Sequence, residues 1–251
     1  MQNKILTKFN QDKFYKKKEA NAFFSRFKKN NKEYFIKLKS ENYLREHKLS
    51  IYNLLIHKIK ITRNTKVLEI GCFIGDLLFH LKKNHQCKIN GVEPSKKACS
   101  FAKKKFKLNL DNNTLFGSRF SKINNHNYQK FDLVIVEDVL SWVDRKIIFQ
   151  NLSIIDWLVK SDGYIFIRDF APKKNFAHEN HHWRGKNIYN FKQSLGHKKF
   201  FMDSGRYKII YSKNYYTNKL QKIKIKNKES NLWNDCILKK VKNFTHPIKK
   251  F

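Results

Sequence analysis

Apolar positions recur at helical spacing through the first sixty residues. Phe23, Phe24 and Phe27 form one such group, and Leu49, Tyr52, Leu55, Ile56 and Ile59 form another. A three-to-four periodicity predicts amphipathic helices. Residues 1–60 therefore read as an N-terminal helical cap, and residues 61–251 as the domain it covers. From Lys66 the rhythm changes to short apolar runs alternating with helical stretches. Val67–Ile70 predicts a first strand, and Gly75–Lys83, with Leu77, Leu78 and Leu81, the helix after it. Lys88–Glu93 and Ser95–Phe106 repeat the unit, with Ser95 as a helix cap. Thr114–Phe116 predicts a weak third strand, Phe131–Glu137 a fourth and Gly163–Asp169 a fifth, with a helix over Ile147–Val159 between the last two.

Alternating strands and helices predict right-handed crossovers around a buried, mostly parallel sheet. After Asp169 the pattern breaks. Ala171–Asn190 reads as a long polar loop, Phe191–Asp203 as a helix, and Tyr207–Ser212 and Leu232–Lys240 as late strands, with a basic connection over Asn218–Glu229. The fold class predicted is α/β: a doubly wound, mostly parallel seven-stranded sheet, Rossmann-like, with an N-terminal helical extension.

Composition narrows the class without fixing it. A 41% hydrophobic share is enough for a packed core. No apolar run reaches the roughly 20 residues of a membrane span, and Met1–Lys18 has no apolar signal segment, so a cytoplasmic protein is expected. Cys72, Cys87, Cys99 and Cys236 form no C-x-x-C pair and read as reduced thiols. The net charge of +34 attracts polyanions. Because Lys is spread along the whole chain beside abundant Asn, Ile, Phe and Tyr, a compositional bias explains part of it.

The chemistry gathers at the strand ends. Val67-Leu68-Glu69-Ile70-Gly71-Cys72-Phe73-Ile74-Gly75 joins the first strand to the first helix, and ligands of open α/β sheets bind at the carboxyl ends of the strands. The dinucleotide fingerprint G-x-G-x-x-G is absent, since Phe73 and Asp76 stand at its second and third glycines. Glu69 lies two residues before Gly71, and Glu93 ends the second strand in Gly91-Val92-Glu93-Pro94. A carboxylate at Glu93 can accept both hydroxyls of a ribose, and Glu69 suits a cationic ligand.

These residues resemble the class I S-adenosylmethionine-dependent methyltransferases. Glu69, Gly71 and Gly75 match the family's acid-x-Gly-x-Gly-x-Gly turn, with Phe73 in place of the middle Gly. Phe131–Val136 resembles the fourth motif, and Leu158–Ile167 the approach to the fifth strand. Val143-Asp144-Arg145, Arg168–Pro172, His181-His182 and Tyr189–Gln193 are similar to a subgroup linked to surface-polysaccharide or small-molecule modification. The resemblance implies S-adenosylmethionine as cofactor, held by Glu69, Gly71, Cys72, Gly75, Glu93, Pro94 and Glu137. It implies transfer of its methyl to an O or N atom of a small molecule, with a sugar or sugar nucleotide among the candidates. Asp138 and His182 are the candidate catalytic groups, and no metal is expected.

The sequence also admits rival readings. His178-Glu179-Asn180-His181-His182 matches H-E-x-x-H, but a zinc protease needs that motif on a helix and Pro172, Gly185 and several Asn surround it. The charge suggests RNA as an alternative substrate. Against it, no Pro-Pro follows the fourth strand and no Cys stands near it as a nucleophile. Trp142 and Trp183 are expected either in the core or as an apolar wall. A binding module that kept the fold without catalysis is the third reading.

Overall fold

A computed structural model describes residues 11–38, 40, 43–122, 130–216 and 231–242. The chain opens with α1 (Gln11–Phe14), a π-helical turn (Tyr15–Glu19) and α2 (Ala20–Asn30), followed by α3 (Lys32–Lys37) and α4 (Glu46–Lys58). Next come β1 (Lys66–Ile70), α5 (Asp76–His85), β2 (Lys88–Val92), α6 (Lys96–Phe106) and β3 (Phe131–Glu137). A 3-10 turn (Leu140–Trp142), α7 (Ile148–Leu158) and β4 (Val159–Phe170) lead to a hairpin of β5 (Phe176–Glu179) and β6 (Tyr189–Lys192). The described chain closes with α8 (Lys198–Asp203), β7 (Tyr207–Tyr216) and β8 (Leu232–Lys240).

Six strands form the main sheet in the order β2-β1-β3-β4-β8-β7, with β8 antiparallel to both its neighbours. The order reverses between β1 and β3, so their carboxyl ends flank the crevice where such sheets bind ligands. Along β1 the two-residue side-chain period sends Val67 into a core shared with α2, α4, α5 and α6, and sends Leu68 and Ile70 into a core shared with α7 and α8. The sheet is thus covered on both faces, as its near-continuous apolar strands require. Ser95 caps α6 by accepting the Ala98 N–H at 3.1 Å.

Three expectations need correction. Thr114–Phe116 is not a strand; a single parallel bridge, Val92 to Asp111, stands where the seventh strand was expected. Here turn chemistry wins: the Asn113 amide donates to Asp111, and the Gly117 and Ser118 N–H groups donate back to Thr114 and Leu115. Ala171–Asn190 is not an open loop, because Phe176–Glu179 pairs antiparallel with Tyr189–Lys192. The helix expected from Phe191 begins only at Lys198, because Leu195 (φ 60°) and Gly196 (φ 79°) are left-handed and interrupt it. On α4 the buried face is Lys48, Ile51 and Leu55, while Leu49 and Ile56 are exposed. The Asn218–Glu229 connection lies outside the described residues. No helix among the described residues is long and apolar enough to cross a membrane.

Candidate active site

A cavity of about 640 Å³ opens at the carboxyl ends of β1, β2 and β3. Its size suits a small-molecule ligand. Gly71 and Phe73 line it from the turn after β1, Glu93 and Pro94 from the end of β2, and Glu137 and Asp138 from the end of β3. Its roof is the N-terminal helical run, which contributes Asp12, Tyr15, Glu19, Phe23 and Phe27. Of the residues expected at the cofactor, Glu69, Cys72 and Gly75 are not among those lining the cavity.

The turn after β1 is built from alternate left-handed residues: Gly71 (φ 68°), Phe73 (φ 52°) and Gly75 (φ 72°). This is the physical content of a Gly-x-Gly-x-Gly pattern, since glycine enters that region without steric cost. A side chain at Gly71 would also strike Val139, whose Cγ2 would lie 2.3 Å from an added Cβ. The N–H groups of Gly71 and Cys72 donate to the Val92 carbonyl at 2.8 and 3.2 Å, folding the turn onto β2. The Phe73 N–H donates to Glu93 Oε2 at 2.9 Å, and the Ser95 N–H to Glu93 Oε1 at 2.7 Å. Glu93 thereby fixes the turn, and burial pushes its carboxyl up to about 7 against these two bonds.

Phe73 occupies a conformation that costs a non-glycine residue about 1–2 kcal/mol. Its ring repays this through contacts with Phe27, Phe24 and Phe23 of α2, at centroid distances of 5.0, 5.7 and 5.8 Å. The roof is therefore seated on the ligand turn itself. Phe73→Ala and Phe73→Gly should both destabilise by a few kcal/mol through lost packing. Phe73→Ala should be the worse by about 1 kcal/mol, because it keeps the left-handed strain. Thermal melts of the two variants check this; an alanine variant as stable as the glycine one contradicts it.

Beneath the turn lies a buried charge cluster. Lys48 Nζ stands 2.7 Å from Glu69 Oε1 and 2.5 Å from Glu137 Oε2. Glu69 shares with Val67 the β1 face turned toward α4, so its carboxylate meets Lys48. Burial pushes Glu69 up to about 7 despite the lysine, and its second oxygen has no hydrogen-bond partner. Burial also disfavours charge on Glu137, but Lys48, His47 and Arg168 outweigh it and hold Glu137 below the ordinary carboxylate range. Arg168 is in turn clamped by Asp235, at 2.7 and 2.5 Å, and donates to the His47 carbonyl. Cys72 is buried, and burial raises its thiol, which keeps it an inert packing group.

Asp138 is itself left-handed (φ 49°), with its N–H on the Arg168 carbonyl at 2.8 Å. Its carboxyl accepts the Trp142 indole N–H at 3.3 Å and faces the cavity. Burial, with the nearby carboxylates of Asp169 and Glu137, raises it well above an ordinary aspartate. Asp169 is held by the N–H groups of Ser141 and Phe170, with His197 Nδ1 at 3.1 Å. His182 also lines the cavity, exposed, with its ring 3.8 Å from that of His181. Partial desolvation, then Arg26, shift its pKa downward.

Two site residues escape a linear reading. Lys48 lies on the apolar stripe of α4, three and seven positions before Ile51 and Leu55; a lysine in such a stripe is the only hint of a buried partner. Glu19, buried in the π turn, accepts from Arg26 at 2.7 Å, from Asn180 at 3.4 Å and from the Trp183 indole. Trp183 thus anchors the roof to the hairpin, while Trp142 lines the cavity, as does Trp233. Gln11 adds a second anchor, donating to the carbonyls of Trp142 and Tyr189 at 2.6 and 2.9 Å. His178 and Glu179 lie on β5, not on a helix, and the described residues hold no group of three or more His, Cys, Asp or Glu able to bind a metal.

A reversed-order α/β sheet, a left-handed Gly turn after β1 and a buried acid after β2 define a nucleotide-type ligand crevice of the methyltransferase class. The chain belongs to that family: the methyltransferase domain matches residues 61–231, and the proteins of this class use S-adenosylmethionine. Solved structures agree on the fold. The coclaurine N-methyltransferase bound to N-methylheliamine and S-adenosylhomocysteine has a TM-score of 0.57 at 14% identity, covering 79% of this chain and 72% of its own. The Burkholderia thailandensis 1,6-didemethyltoxoflavin-N1-methyltransferase has a TM-score of 0.55 at 14% identity, covering 89% of each chain. An S-adenosylmethionine-dependent methyltransferase from Archaeoglobus fulgidus has a TM-score of 0.53 at 18% identity, covering 77% of this chain and 94% of its own. No curated protein matches the chain in sequence.

Proposed function

We propose that the protein methylates an O or N atom of a small molecule inside the roofed cavity, with residues 1–60 as the cap of a catalytic domain over 61–251. The observation that carries this reading is the charge of the cavity against that of the chain. The chain is +34, yet five carboxylates (Asp12, Glu19, Glu93, Glu137, Asp138) and four Arg or Lys side chains (Arg26, Arg45, Lys48, Arg168) line the cavity. A polyanion tracks basic grooves, and this roofed crevice is not one. Two structural relatives carry small molecules beside S-adenosylhomocysteine, which fits the same reading.

The residues present fit the cofactor. Each oxygen of Glu93 is held by one backbone N–H, and the remaining lone pairs can accept two ribose hydroxyls. Gly71 makes room for Val139 at the cavity wall, Pro94 would wall the ribose end, and Glu137 would border the reacting end. Glu69 and Cys72 act from behind the wall, Glu69 by fixing Lys48, and Gly75 lets Leu108 pack against the start of α5. When bound, S-adenosylmethionine supplies an electrophilic methyl on a sulfonium. The chain aligns the acceptor against it, and the roof keeps water out. Asp138 accepts the acceptor's proton, and His182 contacts the acceptor at the mouth.

Incubating the full chain with methyl-labelled cofactor and either a metabolite extract or total RNA tests this reading. Label in the small-molecule fraction is the expected result. Label confined to RNA would transfer the assignment to the polynucleotide alternative that the net charge favours.

A further inference from the structure

We propose that the methyl acceptor is an amine, bound as an ammonium between the Asp138 carboxylate and the ring faces of Tyr15 and Trp142. This rests on the small-molecule methyltransferase reading and names its substrate class.

Aromatic rings and carboxylates stand together on the acceptor side of the cavity, with Asn180, His181 and His182 also lining it. Tyr15 of the roof and Trp142 of the floor both line it, with ring centroids 5.9 Å apart at 51°. Trp142 directs its indole N–H into Asp138 Oδ1, so the ring and the carboxyl are positioned as one unit. Among the described residues this is the only hydrogen bond to the Asp138 carboxyl, although the group stands at the cavity wall. Glu137 is the adjacent residue and also lines the cavity.

The Arg and Lys side chains that line the cavity each face a carboxylate or an aromatic ring. Arg26 is bound to Glu19 at 2.7 Å, Lys48 to Glu69 and Glu137 at 2.7 and 2.5 Å, and Arg168 to Asp235 at 2.5 Å. Arg45 lies over the rings of Phe27 and Tyr34 at 5.0 and 5.2 Å and 3.7 Å from Asp76. Lys192, the cation that acts on Asp138, does not line the cavity and lies over the Phe170 ring at 3.6 Å, so an anionic acceptor would meet the carboxylates of Asp138 and Glu137 first. A neutral hydroxyl could donate a hydrogen bond to the carboxylate but would leave its charge unmatched and the ring quadrupoles unused. An ammonium uses all of them, because the negative faces of Tyr and Trp attract cations and the carboxylate completes the charge match.

The chemistry balances without a further reactant. The ammonium gives one proton to Asp138, which its place in the cavity and the Asp169 and Glu137 carboxylates make a stronger base than an ordinary aspartate. The freed nitrogen lone pair forms the new N–C bond as the C–S bond breaks, and that bond's electron pair stays on sulfur. The products are a methylated ammonium, a neutral thioether and a protonated Asp138, which returns its proton to water.

The test uses the full chain saturated with S-adenosylhomocysteine, titrated by calorimetry with N-methylbenzylamine and with its neutral isostere benzyl methyl ether. The amine should bind roughly 10-fold tighter or better, from the combined cation–π and carboxylate contacts. Asp138→Asn, which suits a left-handed site and should melt at the wild-type temperature, should bring the two ligands within about twofold. A matched library with labelled cofactor should show label in arylalkylamines and not in the corresponding alcohols and phenols. Equal binding of the two probes, or label in the hydroxyl compounds alone, would overturn the proposal while leaving the methyltransferase reading intact. Failure of the wild type to bind S-adenosylhomocysteine would instead strike that underlying reading, and the proposal with it.

Discussion

Replacing Lys48 with Met should destabilise the protein by about 3–5 kcal/mol at pH 8, the usual consequence of removing one partner from a buried ion cluster. The reason is geometric. Lys48 is the ammonium between Glu69 and Glu137, and its own pKa is raised because those two carboxylates outweigh the burial that opposes its charge. Without it two carboxyls face each other in the interior, and both folded-state pKa values rise. A carboxyl whose pKa is higher in the folded than in the unfolded state loses stability as pH climbs from the unfolded value toward the folded one. Glu69 is already at about 7 in the intact cluster. The deficit of Lys48→Met should therefore grow from pH 5 to pH 8. Urea denaturation at the two pH values measures it, and a loss under about 1 kcal/mol, or one independent of pH, contradicts the cluster's role.

Asp138→Asn should lower kcat/KM by roughly 10²- to 10⁴-fold, the range for loss of a positioned general base. The substitution keeps the left-handed backbone and an acceptor for the Trp142 indole, so the fold should persist. What disappears is the proton acceptor. In the wild type the rate should rise with pH as Asp138 ionises, and this limb should lie above the ordinary aspartate value. Burial, Asp169 and Glu137 push it upward, while Trp142 and Lys192 pull it down. In the variant the limb should vanish while the KM for S-adenosylmethionine stays put. A rate within twofold of wild type would remove Asp138 from the chemistry.

Much of the frame was readable from local pattern. β3 occupies Phe131–Glu137 as the apolar run indicates, and Ser95 caps α6, because both depend on residues adjacent in sequence. The same holds for the turn, whose Gly71 and Gly75 fall at left-handed positions. Features that depend on distant partners were not readable. The Phe176–Glu179 and Tyr189–Lys192 strands are each four residues long and are held by each other. Thr114–Phe116 has a β-branched residue and an aromatic at its ends, but its own side chains and those of Asp111 and Asn113 close turns instead.

The site divides in the same way. Spacing puts Glu69 at the end of β1 and Glu93 at the end of β2, but not which one meets the cavity. The two-residue period of β1 sets Glu69 on the α4 face, where Lys48 takes it out of ligand contact. Glu93, just past its strand, lines the cavity instead. The roof residues Tyr15 and Glu19 lie more than a hundred positions from Trp142 and Asn180, and no local pattern joins them. Phe73 looked like a loosened motif position. In the structure it is the seat on which α2 closes the cavity.

The central claim is that S-adenosylmethionine binds in the crevice between the Gly71–Gly75 turn and Glu93. Isothermal calorimetry of the full chain with S-adenosylmethionine, wild type beside Glu93→Ala, tests it most directly. One site in the wild type is expected, weakened roughly 100-fold or more in the variant by loss of two charge-assisted hydrogen bonds worth about 1.5–3 kcal/mol each. No heat of binding in the wild type, or equal affinity in the two proteins, would contradict the account.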